Sequence, residues 1–300
     1  MTGPEPAVTR VAVLGPGRLG TTLALALPSP AYEITAVAGR GDASLEAFVA
    51  RVPTARIAAD PSDATAPADL VLVCVPDDAL ESIVRQVARD DGVAPASRWV
   101  HVAGGHGIAP LRPAQLAGAR VAACHPAQTF PDPDTGLQHL REAAWAVTAA
   151  ASDLAWARLL VEDLGGRPQP VAEASRVLYH AALTIGSNAT AAVVALARDL
   201  LLAAGVEDPA GFLEPIATVS AQGAARRGAA ALTGPVRRGD GGTVAAHLGE
   251  LEVALPEAAD AYRALARLTL SYARRAGLDA PEAAVIAAIL DARDPGDDDG

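Results

Sequence analysis

Val11-Ala12-Val13-Leu14-Gly15-Pro16-Gly17-Arg18-Leu19-Gly20 is a short apolar run that empties directly into Gly-x-Gly-x-x-Gly, and a helical pattern from Leu19 to Leu27 follows. Strand, glycine turn and helix in that order make a place for a pyrophosphate. Gly15 permits the tight turn, Gly17 lets the backbone approach the phosphates, and Gly20 lets helix and strand pack closely. The helix start offers unpaired amide N–H groups and a positive dipole end to the anion. Pro16, Arg18 and Leu19 therefore join the glycines as candidate cofactor contacts. A second strand pattern, Glu33 to Ala38, comes at the spacing of a βαβ unit and ends in Gly39-Arg40-Gly41. About 20 residues past the glycines, an acid binds the ribose 2′-hydroxyl in NAD sites, whereas an Arg there pairs with a 2′-phosphate. Gly39 and Arg40 thus favour NADP(H) over NAD(H). The competing reading has Arg40 opening a solvated loop and Asp42 reaching the ribose.

Outward from this unit, the pattern continues as helix Ser44 to Arg51, a short strand near Ala55 to Ala59, and strand Leu70 to Val75 leading into Pro76-Asp77. A helix from Ala79 to Arg89 precedes strands Arg98 to Ala103, Arg120 to Cys124 and Ala144 to Ala149, then helix Leu154 to Leu164 and a strand near Gln169 to Ala172. Such alternation predicts an α/β fold with a Rossmann-type, doubly wound, mainly parallel sheet. From Glu173 onward the pattern is wholly helical, with long segments near Ser175 to Ala204, Pro209 to Arg226, Thr243 to Leu251 and Glu257 to Ala276, and a short one over Pro281 to Ala292. The expected organisation is a dinucleotide-binding domain over 8–172, a helical substrate and dimerisation domain over 173–292, and a disordered acidic tail over 293–300.

Composition narrows the function. Half of the chain is hydrophobic but only 3% is aromatic, so the core has to come from Ala, Val and Leu in close-packed helices. A net charge of −11 disfavours nucleic acid and anionic membranes as partners. Two cysteines, Cys74 and Cys124, fall in or at the end of buried strand patterns and read as thiols in a reducing cytoplasm. No stretch has the form of a secretory signal. The uncharged run Ala181 to Ala197 is short for a membrane span and reads as a buried helix. All 24 basic residues are Arg, which excludes Schiff-base chemistry, a lysine general acid and Walker-type phosphate binding by lysine.

Ligands of open α/β sheets sit beyond the carboxyl ends of the strands. Three such ends carry polar groups: Val75-Pro76-Asp77, His101 through Gly104-Gly105-His106, and His125-Pro126-Ala127-Gln128. Val75, Pro76 and Gly104 are candidate cofactor contacts, Gly104 because it would admit a nicotinamide ribose closely. His125 precedes Pro126, which favours an extended turn aiming the ring into the cleft. Imidazole titrates near neutrality and can protonate a carbonyl oxygen as hydride arrives at carbon; satisfying backbone groups is the competing role, more so for His101. On the first long helix, His180, Thr184, Ser187 and Asn188 fall within an arc of about 100°. A polar stripe on a buried apolar helix is costly unless paired or lining a cavity. It marks either a catalytic wall or a structural network. No spacing supports a metal site, and no nucleophile elbow is present.

Four ordered motifs carry a resemblance: His101 to Gly104, His125-Pro126-Ala127-Gln128-Thr129-Phe130, Tyr179-His180-Ala181-Ala182 with Ser187-Asn188, and Leu232-Thr233-Gly234-Pro235-Val236-Arg237-Arg238-Gly239-Asp240. Together, across roughly 8–290, they resemble a bacterial family that pairs a Rossmann-like domain with a C-terminal domain of unknown function and is provisionally classed as NADP oxidoreductases. Ala103 departs from the family, which usually has Ser there. More distantly the layout is similar to the 6-phosphogluconate dehydrogenase superfamily, whose helical second domain often dimerises. Relatives with a catalytic Lys four residues before an Asn are not matched, since Thr184 stands four before Asn188. His125-Pro126 instead resembles the His-Pro of prephenate dehydrogenases, whose His bonds the reacting hydroxyl. The resemblance implies a dimerising helical domain and settles no substrate; the leading expectation is a homodimeric, NADP(H)-dependent reductase of a small carbonyl or imine. His125 or His180 would be the proton donor, Asn188 would orient substrate or nicotinamide amide, and Thr184 would lie beside them. Alcohol oxidation in the reverse sense and a non-catalytic dinucleotide-binding regulator are the alternatives.

Overall fold

The structure is a computed structural model that describes residues 8–292; the expected tail over 293–300 and residues 1–7 lie outside the described residues. β1 (Thr9–Leu14), α1 (Arg18–Ala26), β2 (Tyr32–Ala38), α2 (Asp42–Arg51), β3 (Arg56–Ile57), α3 (Pro61–Thr65), β4 (Leu70–Val73), α4 (Asp77–Arg89) and β5 (Arg98–His101) follow in alternation. Next come α5 (Arg112–Leu116), β6 (Arg120–Pro126), α6 (Pro133–Leu140), β7 (Ala144–Ala149), α7 (Leu154–Asp163) and β8 (Arg167–Pro170). The eight strands form one sheet in the order β3-β2-β1-β4-β5-β6-β7-β8. Every pairing is parallel except that of β6 with β7.

Burial on both faces explains the strand sequences. Leu70, Val71, Leu72 and Val73 of β4 are all buried, as are Val11, Ala12, Val13 and Leu14 of β1, the continuous apolar pattern of strands covered above and below. One layer holds Leu23, Val37, Phe48, Trp145 and Val161; the other holds Ala64, Leu80, Val84, Val87, Trp99 and Leu111. Leu80, Val84 and Val87 recur at helical spacing along α4, so that helix buries one stripe and leaves its acidic first turn, Asp77 and Asp78, at its N-terminus. Although aromatic residues are few, Trp99 and Trp145 are among the largest fully buried side chains.

The structure changes two readings near the candidate site. β6 does not stop at Cys124 but continues through Pro126, because His125 pairs with Ala146 and Pro126 with Trp145 on antiparallel β7. His125 is thus held by sheet register and not by a turn after the strand. Second, the run Ala181 to Ala197 is not a buried helix. It belongs to α8 (Arg176–Thr184), a π-helical turn over Ile185–Ala189 and α9 (Thr190–Ala203). The stretch Glu173–Ala203 is long and apolar enough to cross a membrane, yet none of its most apolar window is buried. Thr184, Ser187 and Asn188 are exposed, so the desolvation cost that singled out the polar stripe does not arise within this chain. The π turn also adds a residue to the helical repeat between Thr184 and Thr190, which breaks the even spacing of the stripe.

The sheet ends at Pro170 and the helical run begins beyond it, while the chain divides into two compact units between Ile185 and Gly186. In the second unit, α10 (Pro209–Arg227) packs on α9, and α11 (Pro235–Arg238), α12 (Gly241–Ala254), α13 (Pro256–Arg275) and α14 (Ala280–Asp291) surround a core of Val236, Val244, Leu248, Leu270, Ile286 and Leu290. α9 and α10 contribute only Pro209 as a buried residue.

Candidate active site

In the sheet order, β2 and β4 lie on opposite sides of β1, so the chain leaves β1 in one direction and returns to its other side through a crossover. The crevice above such a reversal is where doubly wound sheets bind ligands. A cavity of about 1000 Å³ lies there, lined by Gly15, Pro16, Gly17, Arg18, Leu19, Gly39, Arg40, Val75 and Pro76. These are nine of the eleven cofactor contacts expected from sequence. Gly41, Ser44, Ser82 and Gln86 also line it and were not singled out. Gly20 does not; a Cβ on it would stand 2.2 Å from the Gly15 carbonyl oxygen, so its role is the close contact of helix and turn.

The cavity's chemistry fits a dinucleotide. Gly17 caps α1 without a side-chain hydrogen bond, and the first turn of α1 carries no acid, which leaves its amide groups and dipole facing an anion. A Cβ on Gly17 would meet nothing within 4 Å, so the backbone here is open to approach. Arg40 and Ser44, at the β2 end of the cavity wall, supply a guanidinium and a hydroxyl. Val102 and Ala103, after β5, line the wall on the other side of the β1–β4 crevice.

Gly104 comes immediately after Ala103 and lies against two histidines. A Cβ there would be 3.0 Å from His125 Nε2 and 3.2 Å from His180 Cδ2. The two rings stand 5.8 Å apart between centroids. His125 Nδ1 lies 2.9 Å from the Tyr179 hydroxyl, with the rings edge to face. Burial first, then the neighbouring His180, Arg176 and His101, push the His125 pKa down to about 4. His125 is therefore a neutral imidazole at neutral pH.

His101 has a different role. It is fully buried; its Nδ1 accepts from the Ala103 amide at 3.1 Å, and its Nε2 donates to the Gly107 carbonyl at 2.6 Å. Both ring nitrogens are used by backbone, and burial pushes its pKa down to about 4. It shapes the loop that carries Ala103 and Gly104.

Two residues of this cluster were not among the candidate site residues: Tyr179, quoted only within a motif, and Arg176. Arg176 is 1% exposed. Its Nε donates to Thr148 Oγ1 at 2.7 Å, and Nη2 donates to the carbonyls of Ala123 at 2.6 Å and Ala146 at 3.1 Å, tying α8 to β6 and β7. Its Nη1 has no partner, and among the described residues it forms no ion pair. The signal that would have found it is spacing: Arg176 precedes Tyr179 by three residues and His180 by four, one helical face. Of the other expected catalytic residues, His180 and Thr184 belong to the first compact unit, whereas Asn188 lies in the second. Among the described residues, no group of three His, Cys, Asp or Glu side chains could hold a metal. Arg237, considered earlier as part of the Thr-Gly-Pro motif, donates to the Ala276 carbonyl at 2.9 Å, at the end of α13.

Comparison with known proteins bears on this arrangement. Residues 2–126 match the Rossmann-like domain family, and residues 143–269 match a domain of unknown function, DUF2520. A Bacteroides fragilis protein provisionally described as an NADP oxidoreductase has a similar structure, with 23% identity, a TM-score of 0.73, and coverage of 87% of this chain and 98% of that one. A reductive aminase from Aspergillus terreus, solved with NADPH and ethyl levulinate, is 20% identical with a TM-score of 0.66 over 94% of this chain and 99% of its own. An imine reductase from Myxococcus stipitatus, solved with NADP+, is 22% identical with a TM-score of 0.62 over 89% and 93%. No curated protein matches the sequence.

Proposed function

We propose, with the matches to a Rossmann-like domain over 2–126 and to DUF2520 over 143–269 in support, that the chain is an NADP(H)-dependent oxidoreductase reducing a small carbonyl or imine compound. The observation that carries the reading is a cavity at the strand reversal with Arg40 on its β2 side and, on its β5 side, a loop that runs from Ala103 into Gly104 against His125 and His180. Gly15 to Leu19 would hold the pyrophosphate on the start of α1, and Arg40 would pair with the 2′-phosphate. When bound, the reduced nicotinamide supplies a hydride. His125 or His180 would donate to the oxygen or nitrogen that gains electrons, while Asn188 and Thr184 would orient the substrate. The similar aminase and imine reductase, solved with NADPH and NADP+, support this substrate class.

In this reading, residues 8–172 bind the cofactor and 173–292 complete the substrate site and dimerise, in a cytoplasmic enzyme that takes a small-molecule substrate and neither nucleic acid nor membrane. The exposed apolar side chains Val177, Leu178, Ile185, Phe212, Ile216 and Val219 favour a homodimer. Titration with NADPH and NADH, followed by a panel of ketones, aldehydes and imines, tests the proposal. NADPH binding with reduction of at least one compound supports it, and binding without any turnover points to the regulator reading. With a substrate in hand, His125→Ala or His180→Ala lowers kcat by about 10²- to 10⁴-fold in at least one case, with NADPH affinity kept. Normal turnover in both variants overturns the histidine assignment.

A further inference from the structure

A neutral imidazole is a poor final proton source. It holds one ring proton, and surrendering it without replacement leaves an imidazolate, which is far too basic to form at neutral pH. A His125 that donates must therefore be refilled at its other nitrogen as it gives.

The structure offers one refilling group. Tyr179 Oη lies 2.9 Å from Nδ1, and a phenol is a better donor than acceptor while an imidazole ring nitrogen is a good acceptor. The hydroxyl therefore donates to Nδ1, leaving the single ring proton of His125 on Nε2, the atom that faces Gly104. Burial holds the Tyr179 phenol above its ordinary pKa, and the group that acts against this is the Arg176 guanidinium, so the phenolate is a transient species that only a more basic acceptor can draw out. The Arg176 guanidinium carbon stands 5.9 Å from the centre of the Tyr179 ring. This cation is buried, has no ion pair among the described residues and leaves Nη1 unpartnered. A second positive charge on His125 would face Arg176, with His180 and His101 also nearby, and would be repelled. A negative charge on Tyr179 would give the unpaired guanidinium the partner it lacks.

We propose that Tyr179 is a positioning residue that fixes His125 as an Nε2–H donor and refills it through Nδ1, with Arg176 holding the resulting phenolate. This rests on the reductase reading above. A bound reduced nicotinamide would supply hydride to the carbonyl or imine carbon, whose π pair would move to the oxygen or nitrogen. That atom takes the proton from His125 Nε2, and Nδ1 takes the proton from Tyr179 Oη. The imidazole ends neutral with its proton on Nδ1; before the next turnover Nε2 takes a proton from solvent water as Nδ1 returns its proton to the Tyr179 phenolate, which restores the starting tautomer.

The first test needs no substrate. Long-range ¹H–¹⁵N correlation on the labelled full chain at pH 7, with His125→Gln to assign the ring, reads which nitrogen is protonated. The expected result is a bare Nδ1 and a protonated Nε2 in the wild type, changing to a mixture of both tautomers in Tyr179→Phe. A wild-type ring protonated at Nδ1, or a tautomer unchanged in Tyr179→Phe, overturns the proposal. Where a ketone or imine is turned over, Tyr179→Phe should lower kcat on the order of 10²-fold with little change in KM; wild-type kcat in that variant also overturns it. Absence of any reduction by the wild type would count against the reductase reading and the relay step together, while the tautomer would still decide whether Tyr179 positions His125.

Discussion

A Cβ atom on Gly15 would stand 2.4 Å from the carbonyl oxygen of Cys74. The turn after β1 is thus pressed against the end of β4, the two strands between which the sheet order reverses. Gly15 also has φ of +102°, a conformation that residues with a Cβ rarely adopt.

Gly15→Ala therefore has to move backbone, and is expected to cost on the order of 1–3 kcal/mol of stability, read by urea unfolding. Gly17→Ala is the contrast, because its added methyl meets nothing within 4 Å. Its stability should stay within about 0.5 kcal/mol of the wild type while NADPH affinity falls. Equal unfolding midpoints for the two variants would contradict this contrast.

The proposed pairing of Arg40 with a 2′-phosphate makes cofactor choice testable. A guanidinium–phosphate pair is charge-assisted, so Arg40→Ala should cost about 1.5–3 kcal/mol in NADPH binding and almost nothing in NADH binding. Titration calorimetry with both nucleotides checks it, and equal weakening of both would remove the NADP assignment.

Acid should loosen the fold through His101. Its folded pKa is about 4 against an ordinary value of 6.5. Below pH 6.5 the unfolded chain takes up a proton that the folded chain refuses until about pH 4. Stability is then fully present above pH 6.5 and is lost as pH falls toward 4, by about 3 kcal/mol at most from this group. Urea unfolding at pH 7 and at 4.5 should show the loss, with a smaller slope in His101→Gln. Identical slopes would place the acid sensitivity elsewhere.

Assembly is the fourth expectation. Phe212 is 63% exposed, Ile216 64% and Val219 70%, on a helix that adds almost nothing to its own unit's core. Light scattering should give a homodimer at micromolar concentration, and Phe212→Glu with Val219→Glu should shift it to monomer. A wild-type monomer would reject the idea.

The dinucleotide half of the site was legible because its chemistry is local. A glycine turn between a buried strand and an uncapped helix leaves its mark in consecutive residues, so Gly15 and Gly17 are read from one stretch and Arg40 from the end of the next strand pattern. The strand count and the wholly helical second half follow equally from apolar spacing. The histidine cluster was only half legible. His125 and His180 stood out as residue types, but Tyr179 and Arg176 matter through what they touch across α8, β6 and β7, and such contacts have no signature along the chain. Burial was misread for the helix beginning at Ala181, because an apolar run looks the same whether it packs inside its own chain or faces outward. Sequence fixes which side chains exist and how far apart they lie along an element. Whether His101 is spent on backbone amides and carbonyls while His125 keeps Nε2 facing Gly104 is set by strand order and by the antiparallel return of β7, which only the folded chain contains.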